Sequence, residues 1–208
     1  MTTMTIDQVS AGYGSSPDVI HAVSATFGPG VTHITGTNGS GKSTLLEILA
    51  SNVLPRSGSA HIGSCSVTDP RTRTKRTYVP HEVGLIPALS LHEHVLLAAP
   101  EADETALARA VDGWGLREWF GAPVEDLSTG NRRKAWLLLC LLDVTEFVLL
   151  DEPFNGLDAD SVEYLSACIR EWAAQQRVVV LVAHALPESL RAARPRVLRL
   201  QDGRVRDD

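Results

Sequence analysis

Apolar and polar positions change rhythm twice along the chain. Over the first third, short runs at Thr5–Val9, Ala22–Phe27 and Val31–Thr35 read as β-strands. Gly12, Gly14, Pro17 and the Gly28-Pro29-Gly30 run supply the turns between them. A helical stretch follows from Lys42 to about Ala50, and Pro55 and Gly58 close that region. The middle is rich in Ala, Leu and Glu. Leu89–Ala98 and Glu101–Trp119 read as helices, with breaks at Pro100, Gly113 and Gly115. The last third alternates again. Phe147–Leu150 and Val178–Ala183 read as buried strands, Ala159–Gln175 as an amphipathic helix and Pro187–Ala193 as a short helix. Val197–Leu200, the turn Gln201-Asp202-Gly203 and Arg204-Val205 read as a hairpin. Short all-apolar strands alternating with helices predict a parallel sheet covered on both faces. Ligands of such sheets bind beyond the carboxyl ends of the strands.

Composition narrows this picture. The chain has 208 residues, 44% apolar and 21% charged, as expected of one folded domain. The net charge of −6 argues against a nucleic-acid partner. Cys65, Cys140 and Cys168 are scattered and odd in number, which suggests no disulfide framework and fits a reducing compartment. Met1–Ser10 lacks a basic region followed by an apolar run, so no secretory signal is expected. The longest apolar stretch, Ala135–Leu142, is far short of the roughly 20 residues a membrane helix needs. Attachment to a membrane would require another protein.

Two motifs carry chemistry. Gly36-Thr37-Asn38-Gly39-Ser40-Gly41-Lys42-Ser43 fits G-x-x-x-x-G-K-[ST], with a strand before it and a helix after it. Glycines let the backbone fold into a nest of N–H groups around phosphate oxygens, and the helix N-terminus favours an anion. Lys42 brings a point charge to the outer phosphates, Ser43 a hydroxyl ligand for Mg²⁺, and Thr44, next on the helix, is expected to bind the nucleotide with them. The second motif is the apolar strand that ends in Asp151 and Glu152. Asp151 beside the phosphate loop is expected to hold Mg²⁺ through water. Glu152, one residue on, is expected to polarise the attacking water.

With these residues the sequence resembles the ABC ATPase family over nearly its whole length. Leu127-Ser128-Thr129-Gly130-Asn131 is similar to the family signature LSGGQ, with Thr129 in place of a glycine and Asn131 in place of the glutamine. The resemblance implies that Ser128, Thr129, Gly130 and Asn131 open a helix and bind the γ-phosphate of ATP held by a second subunit. It also implies that Tyr13 stacks on adenine and that Asn155-Gly156-Leu157-Asp158 crosses the dimer interface, with Asp158 as its acidic end. His184 resembles the switch histidine that contacts the γ-phosphate. His81, in Tyr78-Val79-Pro80-His81, stands where the family has a glutamine that ligates Mg²⁺. Mg²⁺ prefers oxygen donors, so weak or absent coordination is expected there.

The resemblance implies an α/β fold: a P-loop NTPase core with a mixed parallel sheet, an N-terminal antiparallel β subdomain and a small helical subdomain. A single domain is expected over 1–208, with β and core parts at about 1–84 and 137–208 and a helical lobe at about 85–136. The implied activity is ATP hydrolysis with Mg²⁺, driving transport through a separate membrane permease subunit as one half of a homodimer or heterodimer. Such a protein works in the cytoplasm at the inner face of the membrane. The compact module resembles small bacterial exporter types. The alternatives are a non-transport or regulatory ABC module, or a degenerate ATP-binding half of a heterodimer. A coiled-coil insertion, as in DNA-acting members, is not visible.

Other features read as structural. His92 and His94 lie two apart, which does not place them on one helix face for a metal. The basic runs Arg71, Arg73, Lys75, Arg76 and Arg132, Arg133, Lys134 read as solvated faces or edge-strand protection. Trp114, Trp119, Trp136 and Trp172 are expected in the core and lobe packing.

Overall fold

The computed structural model describes residues 3–206. Two sheets share one apolar layer. The first is antiparallel, in the order β2-β1-β4-β5, from β1 (Met4–Ala11), β2 (Ile20–Phe27), β4 (Ser57–Ile62) and β5 (Cys65–Ser66). The second has the order β10-β9-β3-β8-β7-β6. It contains β3 (Gly30–Thr35), β6 (Arg76–Val79), β7 (Phe147–Asp151), β8 (Val178–Val182), β9 (Arg196–Gln201) and β10 (Arg204–Arg206). Its strands pair parallel except for β10, which turns back antiparallel on β9. The turn is Asp202-Gly203, both at positive φ, as a tight two-residue hairpin loop requires. The sheet is therefore mixed, as the hairpin reading predicts.

All five residues of β7 and all five of β8 are buried, because both faces of the sheet are covered. Phe147, Leu149, Val178 and Val180 face α1 (Lys42–Leu49) and the antiparallel sheet, through Leu45, Leu46, Ile48 and Leu49. The alternate residues Val148, Leu150, Val179 and Leu181 face the other way. They meet Leu137 and Leu138 of α4 (Thr129–Cys140) and Leu165 and Ile169 of α5 (Ala159–Ala174). Each fully buried Leu or Ile in these layers contributes about 1.5–3 kcal/mol.

Between β6 and β7 the chain is helical. α2 (Leu91–Ala98) starts with a capping box in which Ser90 and Glu93 satisfy each other's backbone N–H groups. α3 is shorter than the sequence suggests. It runs Glu104–Gly113, capped by Asp103, and Gly115 at φ +64° ends the helical path before a 3₁₀ turn at Arg117–Trp119. Trp114 is buried and packs edge-on against Tyr164, whereas Trp119 is exposed, contrary to the expected packing role. β4, β5, β6 and the 3₁₀ turn Pro70–Lys75 are additions to the elements read from the sequence. The short α6 (Glu188–Arg191) falls inside the expected Pro187–Ala193.

Register positions the site. Ile34 of β3 lies opposite Val182 of β8, and Val182 lies opposite Asp151 of β7. The carboxyl ends of three strands thus open at one level, with the loops after β3, β7 and β8 on one rim.

Candidate functional site

The loop from β3 to α1 is built by glycines that no other residue replaces. Gly36 has φ +153°, and a Cβ there would lie 2.1 Å from the Leu200 carbonyl oxygen. Gly41 has φ +97° and sits against Ile20, where a Cβ would lie 2.5 Å from Cγ2. Gly41 is also the residue at which α1 begins, and no side chain caps that end. The first-turn N–H groups therefore face the cavity with the positive end of the helix dipole. Lys42 folds back over the loop. Its Nζ donates to the carbonyls of Gly36 and Thr37, at 2.9 Å each.

A cavity of about 560 Å³ lies over this loop. Lys42, Ser43 and Thr44 line it from α1, and Asp151 and Glu152 from the end of β7. Tyr13, His81, Asn155 and His184 close its rim. Asn38, Gly39 and Gly41 face it as well. Asp151 is 3% exposed, and its Oδ1 has no hydrogen-bond partner. Burial raises the Asp151 pKa above the usual carboxylate value, against the opposing pull of the Ser43 hydroxyl and His81. A buried carboxylate oxygen without a partner, next to a serine hydroxyl, is a donor set that fits a hard cation such as Mg²⁺.

Glu152 leaves the strand at φ +47°, a left-handed conformation uncommon for a residue with a Cβ. Its N–H still donates to the Val182 carbonyl at 2.9 Å. Its carboxylate Oε1 lies 3.7 Å from Nε2 of His184. The backbone just before His184 is anchored by His33 of β3, whose Nε2 meets the Ala183 carbonyl at 2.9 Å. Tyr13 is 47% exposed, and its hydroxyl bonds Thr44 and Glu47 of α1. Burial and Glu47 raise the Tyr13 pKa.

The remaining expected residues lie elsewhere. Gly36, Thr37 and Ser40 belong to the loop without lining the cavity, and Lys42 holds the carbonyls of the first two. Ser128, Thr129, Gly130 and Asn131 open α4, outside the cavity. Ser128 caps the helix by accepting from the Asn131 N–H at 3.1 Å. A Cβ on Gly130 would lie 3.3 Å from the Gly156 carbonyl oxygen, so this loop touches segment 155–158. Asp158 caps α5 through the Ser161 N–H at 2.9 Å and accepts from Lys134 Nζ at 3.1 Å. The Ser161 backbone and side chain, then Lys134, hold its pKa down at about 2.

One reading from the sequence is corrected outright. Of Arg132, Arg133 and Lys134 only Arg132 is exposed, and the other two do not form a solvated face. Arg133 is 5% exposed and Lys134 9%. The Arg132 side chain donates to the carbonyls of Val124, Glu125 and Leu127. In the other basic run Arg71, Arg73 and Lys75 are exposed as expected, whereas Arg76 is half-buried and donates to the Thr72 hydroxyl. His94 is buried, accepts from the Ile86 N–H at 2.9 Å and bonds the Ser90 carbonyl, while His92 packs on Phe120. Among the described residues no cluster of His, Cys, Asp and Glu suits a metal by itself. Val19 and Val182 also line the cavity. Glu47 stands behind Tyr13. No sequence signal marks these three.

Fold and site together define a P-loop nucleotide-binding domain. The chain belongs to the ABC transporter family, as one of its ATP-binding subunits: residues 20–155 match the family. It is similar to a cytochrome c biogenesis ATP-binding export protein, CcmA, of Cupriavidus necator, at 33% identity over 85% of this chain and 81% of that protein. It is also similar to a taurine import ATP-binding protein, TauB, of Chromobacterium violaceum, at 32% over 95% and 78%. Among solved structures, an ATP-binding subunit of an ABC transporter superposes with a TM-score of 0.85, at 25% identity, over 98% of this chain and 88% of that one. Relatives named for export and for import match at near-equal identity, so likeness does not single out the exporter type. Among the described residues no helix is long and apolar enough to cross a membrane.

Proposed function

We propose that the chain binds ATP with Mg²⁺ in this cavity, hydrolyses it, and drives transport through a separate permease. The observation that carries the reading is the convergence of Lys42, Ser43, Asp151, Glu152 and His184 on one rim. The open N-terminus of α1 and Lys42 hold the phosphates. Tyr13 swings its ring onto the base, a contact that any base accepts. Ser43 and Asp151 hold the cation, and His81, although on the same rim, offers a nitrogen that Mg²⁺ does not favour. Bound Mg²⁺ neutralises charge on the phosphate oxygens. Glu152 takes the proton of the attacking water, and His184 orients the group that Glu152 faces.

Ser128, Thr129, Gly130 and Asn131 lie outside the cavity and complete the site of a second subunit, with Asp158 alongside. A two-fold dimer forms both composite sites at once. The dimer sits in the cytoplasm, held at the membrane by the permease. Single-turnover hydrolysis by wild type and Glu152→Gln tests the reading. A wild type no faster than the variant would leave a module that binds ATP without cleaving it.

A further inference from the structure

Arg133 carries its charge into the interior without an ion pair among the described residues. Its donors go to backbone carbonyls on two loops. Nη1 donates to Pro80 at 3.3 Å and His81 at 2.8 Å, and Nη2 to Asp151 at 3.4 Å and Glu152 at 3.0 Å. Nε is buried with no partner. Burying an unpaired guanidinium is costly, so the position calls for an explanation. Pro80–His81 follows β6 and Asp151–Glu152 ends β7, and these strands are neighbours in register at Val79 and Leu150. The planar fork of arginine spans both loops, which a lysine ammonium does not.

The same face of α4 makes a second contact one turn on, since residues three apart are neighbours on a helix. Trp136 Nε1 donates to Pro80 at 3.4 Å. Its ring covers Gly84, where a Cβ would lie 3.0 Å from Cη2. Glu152 is gripped from two sides. Its N–H bonds Val182 of β8, its carbonyl bonds Arg133, and its φ of +47° needs such support.

We propose that Arg133 is a positioning residue that locks the Glu152 and His81 backbones to helix α4, so that the aim of the Glu152 carboxylate follows the placement of the helix that begins at Ser128. The proposal rests on the reading of Glu152 as the base. A movement of α4, whatever imposes it, is then felt at both loops together.

The test is steady-state ATPase kinetics and labelled-ATP titration on the full chain, with the folded fraction measured by thermal melting. Wild type, Arg133→Lys, Trp136→Phe and Glu152→Gln are compared. Arg133→Lys keeps the charge and loses the fork. Its kcat should fall by at least roughly tenfold, because small misplacements of a reacting group are expensive. Its KM and ATP affinity should stay near wild type. Trp136→Phe keeps the ring over Gly84 and should fall less. Wild-type kcat in Arg133→Lys would overturn the proposal. So would a loss that vanishes when rates are expressed per folded molecule. If Arg133→Lys does not fold, Arg133→Gln carries the test, because its amide keeps an N–H donor and loses the fork that spans both loops. There a kcat loss at constant KM supports the proposal, and a wild-type kcat overturns it. A wild type no faster than Glu152→Gln would instead sink the base assignment, and the positioning role with it.

Discussion

Helices α1 and α4 both begin where a phosphate is expected, yet α1 begins at Gly41 with no side-chain cap, whereas α4 begins at Ser128, which caps itself through Asn131. The end of α1 is faced, within this chain, by Asp151, Glu152 and His184 around a cavity. The end of α4 lies outside that cavity and meets segment 155–158 through Gly130 and the Lys134–Asp158 pair. The difference teaches how the work divides. The phosphate loop shares its cavity with the acidic strand end and His184. On the proposed function, the Ser128 loop, capped and outside that cavity, serves the site of a second copy.

The largest expected effect lies on the α1 side. Glu152→Gln should slow single-turnover hydrolysis by at least about a hundredfold, the low end for loss of a general base, while ATP stays bound. Next comes Lys42→Ala, which removes the Nζ that bridges Gly36 and Thr37 and the charge offered to phosphate. Labelled-ATP titration should show affinity down by at least roughly tenfold, about 1.4 kcal/mol. Unchanged affinity would break the phosphate-loop assignment. Ser128→Ala sharpens the contrast from the other side. Loss of the cap should cost about 1 kcal/mol in urea unfolding. ATP affinity of the single chain should not change, and turnover should drop. A fall in affinity as large as that of Lys42→Ala would erase the distinction between the two helix ends.

The smallest effect is at Asp158. Its carboxylate is held at about 2 in the folded chain, below the ordinary value near 3.9. A depressed carboxylate stabilises the fold above the unfolded value and loses that contribution as pH falls through the folded one. Wild type should therefore lose stability between about pH 4 and pH 2 that Asp158→Asn does not lose, since Asn still caps α5. The side chain is 57% exposed, so the difference at pH 7 should stay below about 1 kcal/mol. Urea titrations at pH 7 and pH 3 measure it.

The two chemical motifs were legible because local sequence alone builds them. Glycines at Gly36 and Gly41 are demanded by backbone shape, and an apolar run ending in Asp151-Glu152 needs only a buried strand. The β8 and β9–β10 elements were legible for the same reason. Ser57–Ile62 was not, since Ser-Gly-Ser-Ala-His-Ile carries little alternation and its strand exists through long-range pairing with β1, Met4 opposite Ile62. Arg133 and Lys134 were misread for a related reason. A basic run looks solvated from residue type, and burial there depends on carbonyls 18 to 53 residues away and on Asp158. Trp119 failed in the opposite sense, because the helix that would have buried it stops at Gly113. The residues of the Ser128 loop were found by resemblance, and their geometry within one chain shows a cap and no cavity.

On the proposed function, the Ser128 end of one chain completes the phosphate-loop site of another. Light scattering of Glu152→Gln with ATP and Mg²⁺ tests it most directly, because blocked hydrolysis should keep the closed form populated. Twice the mass of the single chain is expected with ATP, and a return to the single chain when nucleotide is removed. A single-chain mass at every protein concentration, with ATP shown to be bound, would contradict it.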